Sequence, residues 1–295
     1  MAGSQDFAAD PRNDNLLIYL NGDLVRREQA RVSVFDAGFV VGDGVWEGLR
    51  LHRGKLLFLD AHLDRLFWGA AAIGLDLKMD RAGVTEALTR TVEANRMTDG
   101  AHLRLMVTRG EKKAANQDPR NALGRPTMVI LAEYKQPAAG AALTLHTSNI
   151  RCTPAHMFDM RLNSHSRLNL IVALNEAIAA GADEALMLDP AGNISSCNAT
   201  NFFWVVDGEV RTSSGEFCFN GVTRANVIAL CGANGVPLKR GDFAPDNLTA
   251  ADEAFATGTF GGLTPVASID GRALPSQPGP MTTRLRALYE ALKDA

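Results

Sequence analysis

An α+β fold in two domains is what this sequence predicts, on three observations. Its 295 residues exceed what one small core needs and fit two domains of about 130–160 residues each. Asn21-Gly22, Arg53-Gly54 and Asp207-Gly208 each separate two apolar stretches, the mark of tight hairpins and hence of antiparallel strands. Helical periods follow blocks of strands in the first half, and the second half mixes short strands with two helices. That order disfavours a doubly wound parallel sheet.

The elements follow in sequence. Residues 1–15 are polar and read as a disordered tail. Leu16–Leu20 and Asp23–Val25 form the first hairpin, and His52–Leu59 contains the second. From Leu59 to Leu75 the apolar residues Leu63, Leu66, Phe67, Ala70 and Ile73 keep a helical period that Gly74 ends. Asp80–Asn95 is a further amphipathic helix. Ala101–Thr108 and Pro126–Tyr134 are β-rich, with a polar loop from Glu111 to Arg125 between them. Gln136-Pro137-Ala138-Ala139-Gly140 is the best linker, which gives domains of 16–135 and 141–295 around a 136–140 connection. In the second half, helices are predicted over Leu168–Ala180, stopped by Gly181, and Thr223–Cys231, stopped by Gly232.

Composition excludes several function classes. A net charge of -3 offers no basic surface for nucleic acid. Cys152, Cys197, Cys218 and Cys231 show neither CxxC spacing nor a paired framework, so no metal site is expected and a reducing cytoplasm is the simplest location. The first fifteen residues lack the apolar centre of a signal peptide. No apolar run approaches the roughly 18–20 residues that cross a membrane. Small neutral or anionic ligands are the expected partners.

Five segments carry a family resemblance. Arg31–Arg50 holds Gly-Asp-Gly at 42–44 and Leu59–Leu66 reads LDAHLDRL. Leu103–Gly110 reads LRLMVTRG, Asn220–Arg224 reads NGVTR, and Ala251-Asp252-Glu253 precedes Thr257-Gly258-Thr259 and Leu263–Val266. In this order and spacing they resemble the class IV aminotransferases, the fold-type IV pyridoxal phosphate (PLP) enzymes that include branched-chain and D-amino-acid transaminases. The resemblance implies the two-domain D-amino-acid aminotransferase-like fold, a C-terminal pseudo-barrel domain and a homodimer or larger assembly. It assigns the cofactor phosphate to Arg65, to the Val222-Thr223 turn at a helix start and to Thr259. It assigns the substrate carboxylate to Arg109 and a place near the substrate to Phe39. A guanidinium fork and a helix N-terminus both suit a phosphate.

The pattern breaks at two points. The family's Schiff-base lysine sits in a stretch resembling DPRIKSLNYL, matched here by Asp159–Leu168, and its position falls on Asn163. An amide cannot form a Schiff base, and a four-residue slip would bring Arg167, whose pKa is too high to free a nucleophile. The seven lysines (55, 78, 112, 113, 135, 239 and 293) all lie outside this stretch, at hairpin, loop or surface positions. The family's pyridine-nitrogen glutamate is matched by Ser196. A hydroxyl cannot hold a pyridinium as a carboxylate does.

Three readings follow. The first is an aminotransferase-family enzyme on amino acids and 2-oxo acids, branched-chain-like, with PLP non-covalent if bound and classical turnover doubtful. The second is a non-catalytic binding module on this fold. The third is a diverged lysine-free enzyme, lyase-like or PLP-independent. For the last, His165, two residues beyond Asn163 and on the same side of an extended segment, is a candidate acid/base.

Overall fold

The computed structural model describes residues 3–137 and 142–294. Of the expected linker, Ala138, Ala139 and Gly140 lie outside the described residues. The chain divides into two compact units. The N-terminal unit takes Ala8–Gln136 together with Leu162–Arg167, and the C-terminal unit takes the rest. This differs from a single cut near Pro137, because a six-residue segment of the second half is hydrogen-bonded to the first.

The N-terminal unit is a six-stranded antiparallel sheet with helices on one face. Its elements are β1 (Leu17–Leu20), β2 (Asp23–Arg26), α1 (Ala37–Val41), β3 (Gly44–His52), β4 (Lys55–Leu56), α2 (Leu59–Ala72), α3 (Arg81–Ala94), β5 (Ala101–Thr108) and β6 (Thr127–Tyr134). Strand order is β2-β1-β6-β5-β3-β4. Both two-residue hairpin turns need positive φ, and Asn21 (52°), Gly22 (106°), Arg53 (46°) and Gly54 (79°) supply it. Period-2 alternation turns Leu103, Leu105 and Val107 of β5 into the core with Leu49, Leu63, Leu66 and Leu88. It turns His102, Arg104 and Met106 to the opposite face. Asp80 caps α3 through the Gly83 N–H.

The C-terminal unit is built on a nine-stranded mixed sheet. Its elements are β7 (Leu143–Arg151), α4 (Ala155–Phe158), α5 (Leu168–Ala179), β8 (Glu184–Leu188), β9 (Ile194–Cys197), β10 (Asn201–Val206), β11 (Glu209–Ser213), α6 (Val222–Ala233), β12 (Leu238–Gly241), β13 (Glu253–Gly258), β14 (Gly262–Ile269), β15 (Arg272–Ala273) and α7 (Pro280–Asp294). The order is β12-β11-β10-β13-β14-β7-β8-β9, with β15 beside β14. The sheet curls: Ile194 at the β9 edge donates to the Phe243 carbonyl just past β12, the other edge. Phe202, Trp204 and Phe243 pack inside, the last two edge to face at 5.0 Å.

Two expectations need correction. The segment read as a disordered tail carries defined contacts where it is described. Pro11–Asn15 forms a 3-10 turn capped by Asp10, Arg12 stacks on Tyr134 at 3.6 Å, and Asn13 exchanges two hydrogen bonds with the Tyr134 backbone. Polarity there reflects an edge that is partnered, not one that is loose. Lys112, read as a solvated lysine at a loop position, is 2% exposed and donates through Nζ to the Asp118 carbonyl. The loop from 111 to 125 folds over it.

Candidate active site

Strand β3 holds the Asn163 segment in the N-terminal unit. Its Trp46 N–H donates to the Asn163 carbonyl at 2.9 Å, and the His165 N–H donates to the Gly44 carbonyl at 3.0 Å. Val45 and Ser164 thereby face each other as an antiparallel bridge. Gly44 is needed for this approach, since a Cβ there would meet the His165 ring and the Val107 carbonyl at 2.7 and 2.6 Å. Asn163 is 5% exposed, and its amide oxygen accepts from Arg167 Nη2. Arg167 Nε also donates to the Ser164 carbonyl. Burial, with Arg65 and Arg104 nearby, pulls the Arg167 pKa down to about 10, so it stays charged at neutral pH.

Arg65 stands in α2 on a buried network. Glu47 of β3 is fully buried; its Oε1 accepts from Arg65 Nε at 2.8 Å and its Oε2 from Arg65 Nη2 at 2.7 Å. His62 Nδ1 lies 2.8 Å from Oε2 and donates, because an ionised carboxylate can only accept. Burial alone would raise the Glu47 carboxyl, but the Arg65 and His62 hydrogen bonds outweigh it and hold it below its ordinary value. The guanidinium plane of Arg65 is thus preset by Glu47, a residue that the motif reading missed.

His165 sits with its Nε2 buried and without a hydrogen-bond partner. Desolvation first, then Arg104, lowers its pKa, with the Val45 backbone and Asp36 opposing. The ring is therefore neutral at pH 7.

Arg109 does not fit the carboxylate role. Asp43 takes its Nε and Nη2 at 2.6 and 3.0 Å, and the Gly74 and Ile73 carbonyls take Nη1 and Nη2 at 2.8 and 2.7 Å. It ties the end of β5 to the end of α2. The exposed guanidinium of this strand is Arg104, which lies 3.8 Å over the Trp46 ring. Phe39, on the short helix α1, is 76% exposed.

The C-terminal unit gathers the other predicted residues. Asn201 of β10 pairs in register with Thr257 of β13, and its side chain links Ser196, the Phe219 carbonyl and the Gly221 N–H, the residue before α6. Val222 and Thr223 open α6, where backbone N–H groups lack helical acceptors. Thr223 Oγ1 lies 3.4 Å from the Tyr289 hydroxyl. Asn220 braces this turn: its amide donates to the Gly215 carbonyl and accepts from Arg224, at 3.0 Å each. Thr259 lies in the turn after β13, and the buried Thr257 Oγ1 two residues earlier has no hydrogen-bond partner. Ser196 donates to the Thr200 carbonyl at 2.8 Å and accepts from Asn201, so its one proton is spent.

The family model of amino-transferase class IV matches residues 44–269, a span that runs from Gly44 through the Asn163 segment, the α6 turn and Thr259. The chain belongs to the class IV aminotransferase family. The branched-chain-amino-acid aminotransferase of Pseudomonas aeruginosa is 32% identical, over 92% of this chain and 91% of its own length. Branched-chain-amino-acid aminotransferase-like protein 2 of Arabidopsis thaliana is 38% identical over 96% of this chain. The chain spans about half the length of that relative, 51%. The branched-chain aminotransferase of the archaeon Thermoproteus uzoniensis, solved with norvaline, has the same fold, with a TM-score of 0.86 at 29% identity over 94% of both chains. The two-unit α+β architecture is that of the fold-type IV enzymes.

Class IV membership implies PLP, and this chain's residues fit that group at one end only. Taken unit by unit, the preset Arg65 guanidinium suits a phosphate in the N-terminal unit, and the α6 start with the orphaned Thr257 hydroxyl suits one in the C-terminal unit. The resemblance sets Asn163 and Ser196 at the ring end, where the amide cannot form a Schiff base and the hydroxyl is already bonded to the Thr200 carbonyl. Among the described residues, no cluster of His, Cys, Asp and Glu could hold a metal ion, and no helix is long and apolar enough to cross a membrane.

Proposed function

We propose that this class IV aminotransferase acts on amino acids or 2-oxo acids of the branched-chain kind, holds a PLP-type phosphate non-covalently, and performs classical transamination slowly or not at all. Asn163 carries this reading. Its place in the motif is supported by the β3 pairing on both sides of it, which holds residues 163–165 in one defined position. The seven lysine ammoniums lie elsewhere: Lys112 is buried in its own loop, Lys78 and Lys135 pair with Asp76 and Glu133, and Lys293 pairs with Glu290. The phosphate is assigned to Arg65, Val222, Thr223 and Thr259, with Ser196 beside the ring.

Incubation with PLP, borohydride reduction and peptide mass spectrometry tests this. The expected result is no dominant labelled lysine, with leucine transamination to a 2-oxo acid acceptor near background. One stoichiometrically labelled lysine together with robust PLP-dependent rates would overturn it. The neutral His165, with its unpartnered Nε2, favours a second reading, in which this ring serves as acid or base in chemistry that needs no Schiff base.

The assembly is proposed to be a homodimer. Leu168 and Ile171 on α5 are 72% and 53% exposed, Val172 and Ile178 continue the same apolar surface, and Met157 lies exposed on α4. Light scattering is expected to give the mass of two chains, and Ile171→Glu is expected to shift it toward one. An unchanged dimer in that variant would place the interface elsewhere.

A further inference from the structure

A groove within the N-terminal unit, away from the residues assigned to PLP or substrate, gathers arginines from three separate elements. It has a volume of about 560 Å³, and Arg12 of the 3-10 turn, Arg26 at the end of β2 and Arg96 just past α3 line it together with Leu16, Leu17 and Tyr134. Among the described residues, no carboxylate lines it. Arg26 stands directly opposite Leu17 in the β1–β2 register, and Leu17 lies two residues before the buried Tyr19. All three therefore share one face of the sheet, the face on which Tyr19 packs against Val84, Ala87 and Leu88 of α3. Asn95 clamps the end of α3 to that edge: its side chain accepts from the Leu17 N–H at 2.7 Å and donates to the Leu17 carbonyl at 2.8 Å. Arg96, the next residue, is thus carried to the groove that Arg26 lines.

The fold leaves two of these guanidiniums unused. Arg12 gives its Nε and Nη2 to Asp10 and stacks on Tyr134. Arg26 and Arg96 have no side-chain hydrogen bond or ion pair among the described residues. An arginine at a helix end commonly caps the last carbonyls. Here the Thr91, Val92 and Glu93 carbonyls already accept from the N–H groups of Asn95, Met97 and Arg96, at 3.3, 3.0 and 2.9 Å. The φ of Arg96, 51°, is one that glycine adopts more easily, so the turn itself gives no reason for a guanidinium there. With Asp10 offsetting Arg12, the charges of Arg26 and Arg96 remain, in a chain whose net charge is -3. We propose that this groove is a second ligand site, built for a small phosphate monoester with an apolar body. Such a phosphate carries about -1.5 to -2 charges at neutral pH, and its oxygens match the donor forks of two guanidiniums. Leu16 and Leu17 give the apolar body a wall, and the volume lies in the range of roughly 300–1,000 Å³ usual for small-molecule sites. A monocarboxylate would bring one charge to two unpaired cations, and free phosphate would leave the apolar wall unused. The site is independent of the PLP reading, since Arg65, Val222, Thr223 and Thr259 take no part in its lining.

Phenylglyoxal footprinting of the full chain, read by peptide mass spectrometry, is the test, with phenyl phosphate and inorganic phosphate as probes. Each arginine is read separately, so a probe held at the PLP phosphate residues is not mistaken for one in the groove. Phenyl phosphate is expected to protect Arg26 and Arg96 along one shared saturation curve and to leave Arg284, exposed on α7, reactive. Inorganic phosphate is expected to protect the same pair at about ten-fold higher concentration, the difference made by burying roughly 50 Å² of the ring. Arg96→Met is expected to raise the concentration that protects Arg26 by about ten-fold or more, the loss of one charge-assisted contact, and Arg26→Met to do the same for Arg96. Protection of Arg284 in parallel with Arg26, equal potency of the two probes, or an Arg26 curve unmoved by Arg96→Met would each overturn the proposal. Both positions are exposed; should one variant fail to fold, the other decides alone.

Discussion

Asn163→Lys is expected to convert a chain with no dominant reducible PLP adduct into one labelled stoichiometrically at position 163. The backbone needed for this is already in place, since the Trp46 and Gly44 hydrogen bonds hold residues 163–165 against β3 independently of the side chain at 163. The introduced amine would stand beside the Arg167 guanidinium in a buried position. Both burial and a like charge disfavour an ammonium, so its pKa falls from the ordinary lysine value of about 10.4. Each unit of that fall raises the fraction of free amine at neutral pH about ten-fold. Lysine is longer than asparagine, and the extra volume costs about 1–3 kcal/mol if Arg167 cannot swing aside. Turnover is expected to rise far less than labelling. Ser196 brings no charge to a ring nitrogen, and its proton is committed to the Thr200 carbonyl. Only Asn163→Lys combined with Ser196→Glu is expected to approach ordinary transamination. Peptide mapping after borohydride reduction reads the first effect, and leucine-dependent rates read the second. Label scattered over surface lysines, with none concentrated at 163 in folded protein, would mean that this position does not face the carbonyl.

Local chemistry was legible in the sequence, and distant pairing was not. Asn21-Gly22, Arg53-Gly54 and Asp207-Gly208 could be read as hairpins because the positive φ they adopt is a property of those residues. α2 and α3 could be read because their apolar period and, for α3, the Asp80 cap are continuous in the chain. α7 was missed. Its N-terminal amides are satisfied by Glu253, twenty-eight residues before Met281, so no local cap marks its start. The return of Leu162–Arg167 to β3 was invisible for the same reason: the contact of Trp46 with Ser164 spans 118 positions. The site shows the same division. Arg65, Asn163 and Ser196 stood out because motifs flank them. Glu47, Arg104 and Arg167 stood out only through their neighbours in space, Arg65 and His62 for the first and the Trp46 ring for the other two. Arg109 looked like a ligand from its motif, yet Asp43 and two carbonyls absorb it. The alternation of β5 is legible in the chain and turns Arg104 outward, but the Asp43 pairing that occupies Arg109 is not.

Glu47→Gln is expected to be the most destabilising of these substitutions at neutral pH, by about 3–5 kcal/mol, because it removes the carboxylate from a buried pair and leaves Arg65 without its counter-charge. Its amide keeps one acceptor for three donors now aimed at two oxygens, and its NH2 group faces N–H groups that can only donate. The pH dependence fixes the sign of the argument. Glu47 has a folded pKa below its ordinary value. Its contribution is therefore fully present above the unfolded carboxylate pKa of about 4.3 and is lost as pH falls through the lower, folded one. Urea denaturation at neutral pH should separate wild type and variant widely, and the gap should narrow as the pH is taken below the ordinary carboxylate range. A gap that stayed constant with pH would show that Glu47 acts through packing and neutral hydrogen bonds alone. Loss of the Arg65 anchor is also expected to weaken PLP binding in the folded variant, because a guanidinium free to rotate spends part of its binding energy on being ordered. If the phosphate binds equally well to Glu47→Gln, the preset plane of Arg65 is not what the site uses.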